Sequence, residues 1–486
     1  GTYPFTIKVT DANSNTSTVN LSMTITPAAS CLLTGQFAHL ETGFASGRQY
    51  VAAGSFTVVS TGTVTGFQDE GAGIQVNEQV SGTCVTRTTN NGTLTLTGAT
   101  RSPQYNYALV YGLDKARTQL MNGGDSTSGT GQLLKQDPAA FNAAALAGDW
   151  AFGVLGAYAP SGIVTGKRIG VAGRFTIDAN GAVTAGRLDA NTSPVSSAVS
   201  FMGSMSAPNV SEGGRGTLTF TSAGAPYKFV YYVVNSNKLL LVQTDVASGA
   251  PQLAGTMTRQ TLPYTGASLG GQGVLSLWGA YGNDTPHASL ALGRISTPTV
   301  TSATTGTLHV DMDVADRDTL TLAKSYTGAA YSVDVIGDGR ATLSYTDSTS
   351  TVHNFVLYLD GQDNGYVVET TGTHGTFGLL EAQIAGPYNY TLPGLFVSGT
   401  QYPQDAGPLT LAPHLNISGG SIADSTGNNY INGLFAYDPV TGRAIGTLTV
   451  AGGQSYATAY VVNASTVRIM RLGYQLRASS IEFVGD

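Results

Sequence analysis

Hydrophobic and polar positions alternate along most of this chain with a period of two. Tyr3, Phe5, Ile7 and Val9 are separated by Pro4, Thr6, Lys8 and Thr10. After the turn residues Asp11-Ala-Asn-Ser-Asn15 the alternation resumes at Val19, Leu21, Met23 and Ile25. Side chains two apart share one face of a strand, so residues 1–28 predict a single hairpin with one apolar side. Short alternating runs then recur to the end of the chain. Examples are Gly54-Ser-Phe-Thr-Val-Val59, Gly173-Arg-Phe-Thr-Ile177, Gly216-Thr-Leu-Thr-Phe220 and Gly446-Thr-Leu-Thr-Val450. Gly- and Asn-containing turns punctuate them, as in a strand-rich chain. One stretch reads differently. Asp137 can cap a helix, Pro138 suits its first position and Ala139 to Leu146 continue it, which predicts a linker helix over 137–145.

The runs fall into an order that repeats. Leu33-Thr-Gly-Gln-Phe37, Leu146-Ala-Gly-Asp-Trp-Ala-Phe152, Gln272-Gly-Val-Leu-Ser-Leu277 and Leu392-Pro-Gly-Leu-Phe396 each open a unit. Gly216-Thr-Leu-Thr-Phe220 matches Gly92-Thr-Leu-Thr-Leu96, and Gln136 and Gln260 close equivalent runs. The glycines of these opening frames, Gly35, Gly148, Gly273 and Gly394, are 113, 125 and 121 residues apart, which means tandem domains, because solenoid repeats run to only ~20–50 residues. The expected architecture is all-β: a hairpin at 1–28, then units at 29–136, 146–260, 261–383 and 390–486. Each unit is a β-barrel or a β-sandwich of roughly eight strands. Phe37, Trp150, Leu275 and Phe396 are the expected core residues of the opening frame.

Composition narrows the function classes. Only 11% of residues are charged, against roughly 25% in an average soluble protein. The net charge is −7 with no basic cluster, which argues against nucleic acid. No apolar run reaches the ~20 residues of a membrane span. The cysteines, Cys31 and Cys84, lie in one unit and are expected to form a disulfide, which points to an oxidising, extracellular setting. Asn-X-Ser/Thr sequons are scattered along the chain.

Candidate chemistry is sparse. Gly266-Ala-Ser-Leu-Gly270 has the spacing of a nucleophile elbow, but no helix is signalled behind the serine, and the stretch reads as a linker. His309, Asp311 and Asp313 share a strand face, with Asp316 and Asp318 in the following turn. These aspartates are the candidates for Ca²⁺, although a closing Glu of the EF-hand kind is missing. Asp69-Glu70 is an adjacent acidic pair, and a glycosidase would need two carboxylates. The histidines show no zinc spacing with the cysteines. No nucleophile, base and metal set emerges, so the expectation is a protein that is not an enzyme.

The first hairpin, Gly1-Thr-Tyr-Pro-Phe-Thr-Ile-Lys-Val-Thr-Asp-Ala12, resembles the last strands of the Ig-like domains of bacterial surface proteins, so residues 1–28 are expected either to continue an upstream domain of that kind or to add as donated strands to an open sheet on a neighbour. The Gly148-Asp-Trp150 opening resembles that of lipocalin-like meander barrels, which implies an aromatic plugging the barrel floor. The whole organisation is similar to the large Ser/Thr/Gly-rich repeat proteins of bacterial cell surfaces, as in acidobacteria. These resemblances imply an extracellular structural or adhesive protein. The hairpin's Tyr3, Phe5, Ile7, Val9, Val19, Leu21, Met23 and Ile25 would join subunits head to tail into a filament. The alternative is a module that holds a glycan or small ligand in its barrel mouths.

Overall fold

The computed structural model describes residues 2–24, 31–45, 48–71, 76–88, 91–98, 105–111, 114–123, 127–158, 167–191, 195–222, 225–244, 252–281, 287–316, 319–371, 374–384, 393–399, 406–412, 416–424, 427–450, 453–464, 466–472 and 477–483. It contains a two-stranded sheet followed by four closed antiparallel barrels of eight strands each. Within every barrel the strands follow chain order and the first pairs with the eighth. The units expected as barrel or sandwich are therefore barrels, and closure leaves them without sheet edges.

The opening frame closes the barrel floor, most clearly in the second barrel. Gly148 has φ +130, and a Cβ there would lie 2.5 Å from Arg259 Nη1, so the position needs glycine. Two residues on, Trp150 is fully buried and its indole N–H donates to the Leu146 carbonyl at 2.9 Å. The guanidinium of Arg259, from the last strand, lies 4.7 Å from the Trp150 ring centroid. Phe37 and Leu275 occupy the same place in the first and third barrels, and both are buried. The side chain of Phe396 lies outside the described residues.

The stretch expected as a linker helix is not one continuous helix. It is a 3-10 turn, Pro138–Ala140, capped by Asp137, and a single α-turn, Ala143–Leu146, capped by Asn142. Ala140, Phe141 and Leu146 belong to the core of the second barrel, so the segment is a plug. The Gly266–Leu269 stretch likewise forms a 3-10 turn whose Leu269 enters the third core. Cys31 and Leu33 do the same for the first barrel, and Cys31 is bonded to Cys84 on its fourth strand. A short connection buries its apolar residues where the barrel end would otherwise be open.

The barrel interiors differ. The second is filled by Phe152, Phe175, Phe201, Phe220 and Phe229, whose rings pack at 4.5–6.4 Å between centroids. The third is filled by aliphatic residues with Tyr326, Tyr345 and Phe355.

Candidate functional site

Three features stand apart from ordinary core packing: the joints between barrels, the interior of the first barrel and the face of the hairpin.

The joints repeat one design. In the first, Asp69 of barrel 1 is buried and accepts from Arg215 of barrel 2, Nε at 2.7 Å and Nη2 at 2.8 Å. The Tyr232 hydroxyl donates to the same carboxylate at 2.6 Å, and the Asn77 amide at 2.9 Å. In the second, Asp189 takes Arg340 at 2.9 and 3.0 Å, Tyr358 at 2.7 Å and the Ala198 amide at 2.9 Å. In the third, Asp313 takes Arg443 at 2.9 and 2.5 Å and the Ala323 amide at 2.7 Å, with Tyr460 in the same register position. Asn77, Ala198 and Ala323 all have positive φ, so each aspartate also holds a bend in its own barrel. A fork of two N–H donors on a carboxylate fixes orientation as well as distance.

A glutamine clasps each joint from the end of the eighth strand. Gln136 Nε2 donates to the Gly213 and Val233 carbonyls at 2.9 and 2.5 Å. Gln260 reaches the Asp338 and Leu359 carbonyls at 3.2 and 2.5 Å, and Gln383 those of Thr441 and Val461 at 3.1 and 2.7 Å. Apolar side chains fill the rest. Ala38, Leu40, Val51 and Ala53 meet Val230, Tyr232, Leu240 and Val242 at the first joint. The other two joints bury Tyr358, Tyr366 and Phe377, and Leu290, Leu292 and Val462. The electrostatics agree with the geometry. Burial pushes the Asp189 carboxyl up, but hydrogen bonds from Arg340 and Tyr358 outweigh it and leave the pKa below the ordinary value. The Tyr232 and Tyr358 hydroxyls are held far above theirs, first by burial and then by the adjacent aspartate.

These joints account for two sequence candidates. Asp69 and Glu70 point to opposite sides of one strand, Asp69 into the joint and Glu70 into the barrel, so they are not a catalytic pair. Asp313 of the Ca²⁺ candidates is taken up by Arg443, while Asp311 lies 2.9 Å from His309 Nε2. Asp318 and the side chain of Asp316 lie outside the described residues. Among the described residues no group of three His, Cys, Asp or Glu is placed to hold a metal. Ser268 serves its own turn, accepting from the Thr265 amide at 3.0 Å.

The interior of the first barrel carries polar groups where its neighbour carries phenylalanines. His39, Glu41, Gln68, Glu70, Glu78 and Thr118 are all buried. Glu41 Oε2 is 3.1 Å from His39 Nε2 and accepts from Thr118 at 3.4 Å. Gln68 and Tyr50 donate to Glu70 Oε1 at 3.0 and 3.3 Å. Burial pushes the Glu41 carboxyl up, against the hydrogen bonds from His39 and Thr118.

The hairpin pairs Thr2–Thr10 with Thr16–Thr24, setting Tyr3 opposite Met23, Phe5 opposite Leu21 and Ile7 opposite Val19. These residues and Val9 form one apolar face, and all are exposed, from 42% at Leu21 to 63% at Val9. The other face is Thr, Ser, Asn, Lys and Pro4. Asp11 fixes the turn by accepting from the Asn13 and Asn15 amides, both at 2.8 Å. Ile25 lies outside the described residues.

No family model and no curated protein matches the chain. Among solved structures it is similar to two forms of the vaccine antigen transferrin-binding protein B from Haemophilus parasuis Hp5, a tryptophan-to-alanine mutant and a double mutant. Identity is 8% in both, over 95% of this chain and 97% of theirs, with TM-scores of 0.20 and 0.19. A likeness at that score carries no argument about function. No helix among the described residues is long and apolar enough to cross a membrane.

Proposed function

We propose that this is a non-enzymatic extracellular structural protein. The four barrels form a rigid body, and the N-terminal hairpin attaches one copy to another at the cell surface. The observation that carries the reading is the contrast between covered and uncovered apolar faces. The faces of the three joints described above are buried and anchored, whereas the hairpin presents seven apolar side chains to solvent. A two-stranded sheet is marginal in water by itself, so an apolar face of this kind calls for a partner.

Closure of the barrels limits what that partner is. Strand addition needs an open edge, and a closed barrel has none. Among the described residues the sheet with free edges is the hairpin itself, which favours the hairpin of a second copy as the acceptor. Face-to-face pairing of two identical hairpins is isologous and gives a dimer. A head-to-tail filament needs a second, heterologous contact. The disulfide supports an oxidising location. Electron microscopy of the purified chain tests the reading: paired particles or fibres that disappear when residues 1–26 are deleted support it, and the same assemblies in the deletion variant refute it.

The polar interior of barrel 1 favours a second reading, a binding module for a small polar ligand or glycan. One oxygen of the buried Glu41 has no hydrogen-bond partner among the described residues. Native mass spectrometry of the intact chain would show a retained ligand that Glu41→Leu releases. No retained mass, and none after incubation with sugars, leaves the structural reading alone.

A further inference from the structure

Barrels 1 and 2 share one register, and six of its inward positions change character between them. His39 and Glu41 stand four and six residues after Gly35, where Phe152 and Val154 follow Gly148. Gln68 and Glu70 flank the anchoring Asp69 as Leu188 and Ala190 flank Asp189. Glu78 pairs with Gln68 as Val199 pairs with Leu188. Thr118 and Leu241 each pair with a glycine, Gly131 or Gly255, that pairs in turn with Glu41 or Val154. In barrel 2 these positions form a packed apolar core. The fold is therefore compatible with a dry interior here, and polar groups buried in its place cost free energy that barrel construction does not require.

The polar groups occupy one end of barrel 1. Phe37 pairs with Phe56 at the floor, in one core with Cys31 and Leu33. Across the first three strands the next layer is His39, Gly54 and Gln68, and the one beyond it is Glu41, Ala52 and Glu70. Ala52 sets only a methyl group between the two carboxylates. On the other side of Glu41 the eighth strand contributes glycines. A Cβ at Gly129 would lie 3.1 Å from Glu41 Oε1, and one at Gly131 would lie 3.0 Å from Oε2, so larger residues there would displace the carboxylate.

Two acceptors in these layers are left without a donor. Glu41 is fully buried. Its Oε2 is taken up by His39 and Thr118, and its Oε1 has no hydrogen-bond partner among the described residues. Gln68 is 3% exposed. Its Nε2 donates to Glu70, which fixes the orientation of the amide and leaves Oε1 open. Both open atoms can only accept, so whatever completes them brings donors. A charged donor on a carboxylate bonds about twice as strongly as a neutral one. Burial works against the charged form of Glu41, and a cation on its open oxygen offsets that penalty.

We propose that the polar end of barrel 1 binds a small organic cation through an ammonium or guanidinium group, with Glu41 and Gln68 as the acceptors. This rests on the binding reading of barrel 1 and names its ligand class. Barrel 2, with Val154 and Leu188 at the matching positions, has no counterpart to the site.

Native mass spectrometry of the intact chain after incubation with putrescine tests this, with butane-1,4-diol as a neutral ligand of the same carbon skeleton. The wild type should retain putrescine at least about tenfold more strongly than the diol, and Glu41→Gln, which removes the charge at almost unchanged size, should weaken retention by a similar factor. Gln68→Leu, which installs the barrel 2 residue, should weaken it as well. The comparison of diamine with diol uses the wild-type chain alone and does not depend on any variant folding. Equal retention of the two, or retention of glucose without the diamine, leaves barrel 1 a binding module and overturns the cation. Retention of none of the three overturns the cation and the binding reading together. Putrescine held equally well by Glu41→Gln, in a variant with the circular dichroism of the wild type, would sit on another surface, and the proposal fails.

Discussion

The seventh strand of barrel 2 and the hairpin at the front of the chain are both apolar, yet they meet opposite fates. In Lys238-Leu-Leu-Leu-Val242, Leu239 and Leu241 enter the barrel core, while Leu240 and Val242 enter the joint. Both faces are covered, and the strand loses its alternation because it has two partners. In the hairpin the alternation is kept, one face is polar, and the apolar face has nothing over it among the described residues. An unbroken apolar run in this molecule marks a strand buried on both sides, and a clean alternation marks one still exposed on a side. The joints show what completes an apolar face here: a buried aspartate, a forked arginine, a tyrosine and a glutamine clasp.

The largest test of that comparison is removal of an anchor. Arg340→Ala strands the buried Asp189 without its partner and should cost about 3–5 kcal/mol, read as a shift in the urea midpoint. A loss near that of a surface ion pair, about 0–1 kcal/mol, would mean that the joint is wetter than its geometry indicates. Next is the clasp. Gln260→Ala leaves two carbonyls of barrel 3 without their donor and should cost about 1–3 kcal/mol in the same titration.

A smaller, pH-dependent effect sharpens the account near the second joint. His353 lies 3.3 Å from Glu369, whose backbone carbonyl accepts from Asn191 of barrel 2 at 2.6 Å. The Glu369 hydrogen bond raises the His353 pKa; burial opposes this and the Asp347 interaction adds to it. A folded-state pKa above the unfolded one means the stabilisation is complete below the ordinary value of 6.5 and is lost as pH rises through the folded value. Melting temperature should therefore fall as pH rises above 6.5 more steeply in the wild type than in His353→Gln. Parallel curves would show that the pair contributes nothing. The smallest stability effect is expected at the hairpin. Leu21→Thr should leave the midpoint within about 0.5 kcal/mol, because the side chain is exposed, while weakening association between copies.

Much of the fold was legible because strand alternation and the recurring Gly-x-aromatic frame both report on barrel construction. Trp150 marked a floor, and Cys31 and Cys84 are bonded. The plug at 138–146 was misread because its cap and proline signals are those of any helix start, and only the open barrel end explains why it stops after one turn. The joints were missed. Their signal was present as Gly-Arg pairs, Gly214-Arg215, Gly339-Arg340 and Gly442-Arg443, each preceding a strand that matched between units. Their partner aspartates lie on another barrel, more than a hundred residues away, and no local pattern ties the two together. The acidic strand residues Asp311 and Asp313 suggested calcium for the same reason: Arg443 is remote in sequence.

The central claim is that the uncovered hairpin face joins copies of a rigid body. Sedimentation velocity over a concentration series, comparing the full chain with a Phe5→Lys, Leu21→Lys variant, tests it most directly. Both lysines replace residues paired across the apolar face. The account predicts that the unaltered chain gains mass with concentration and that the variant remains monomeric with an unchanged urea midpoint. Equal association in the two would contradict it, since the assembly would then rest on some other surface.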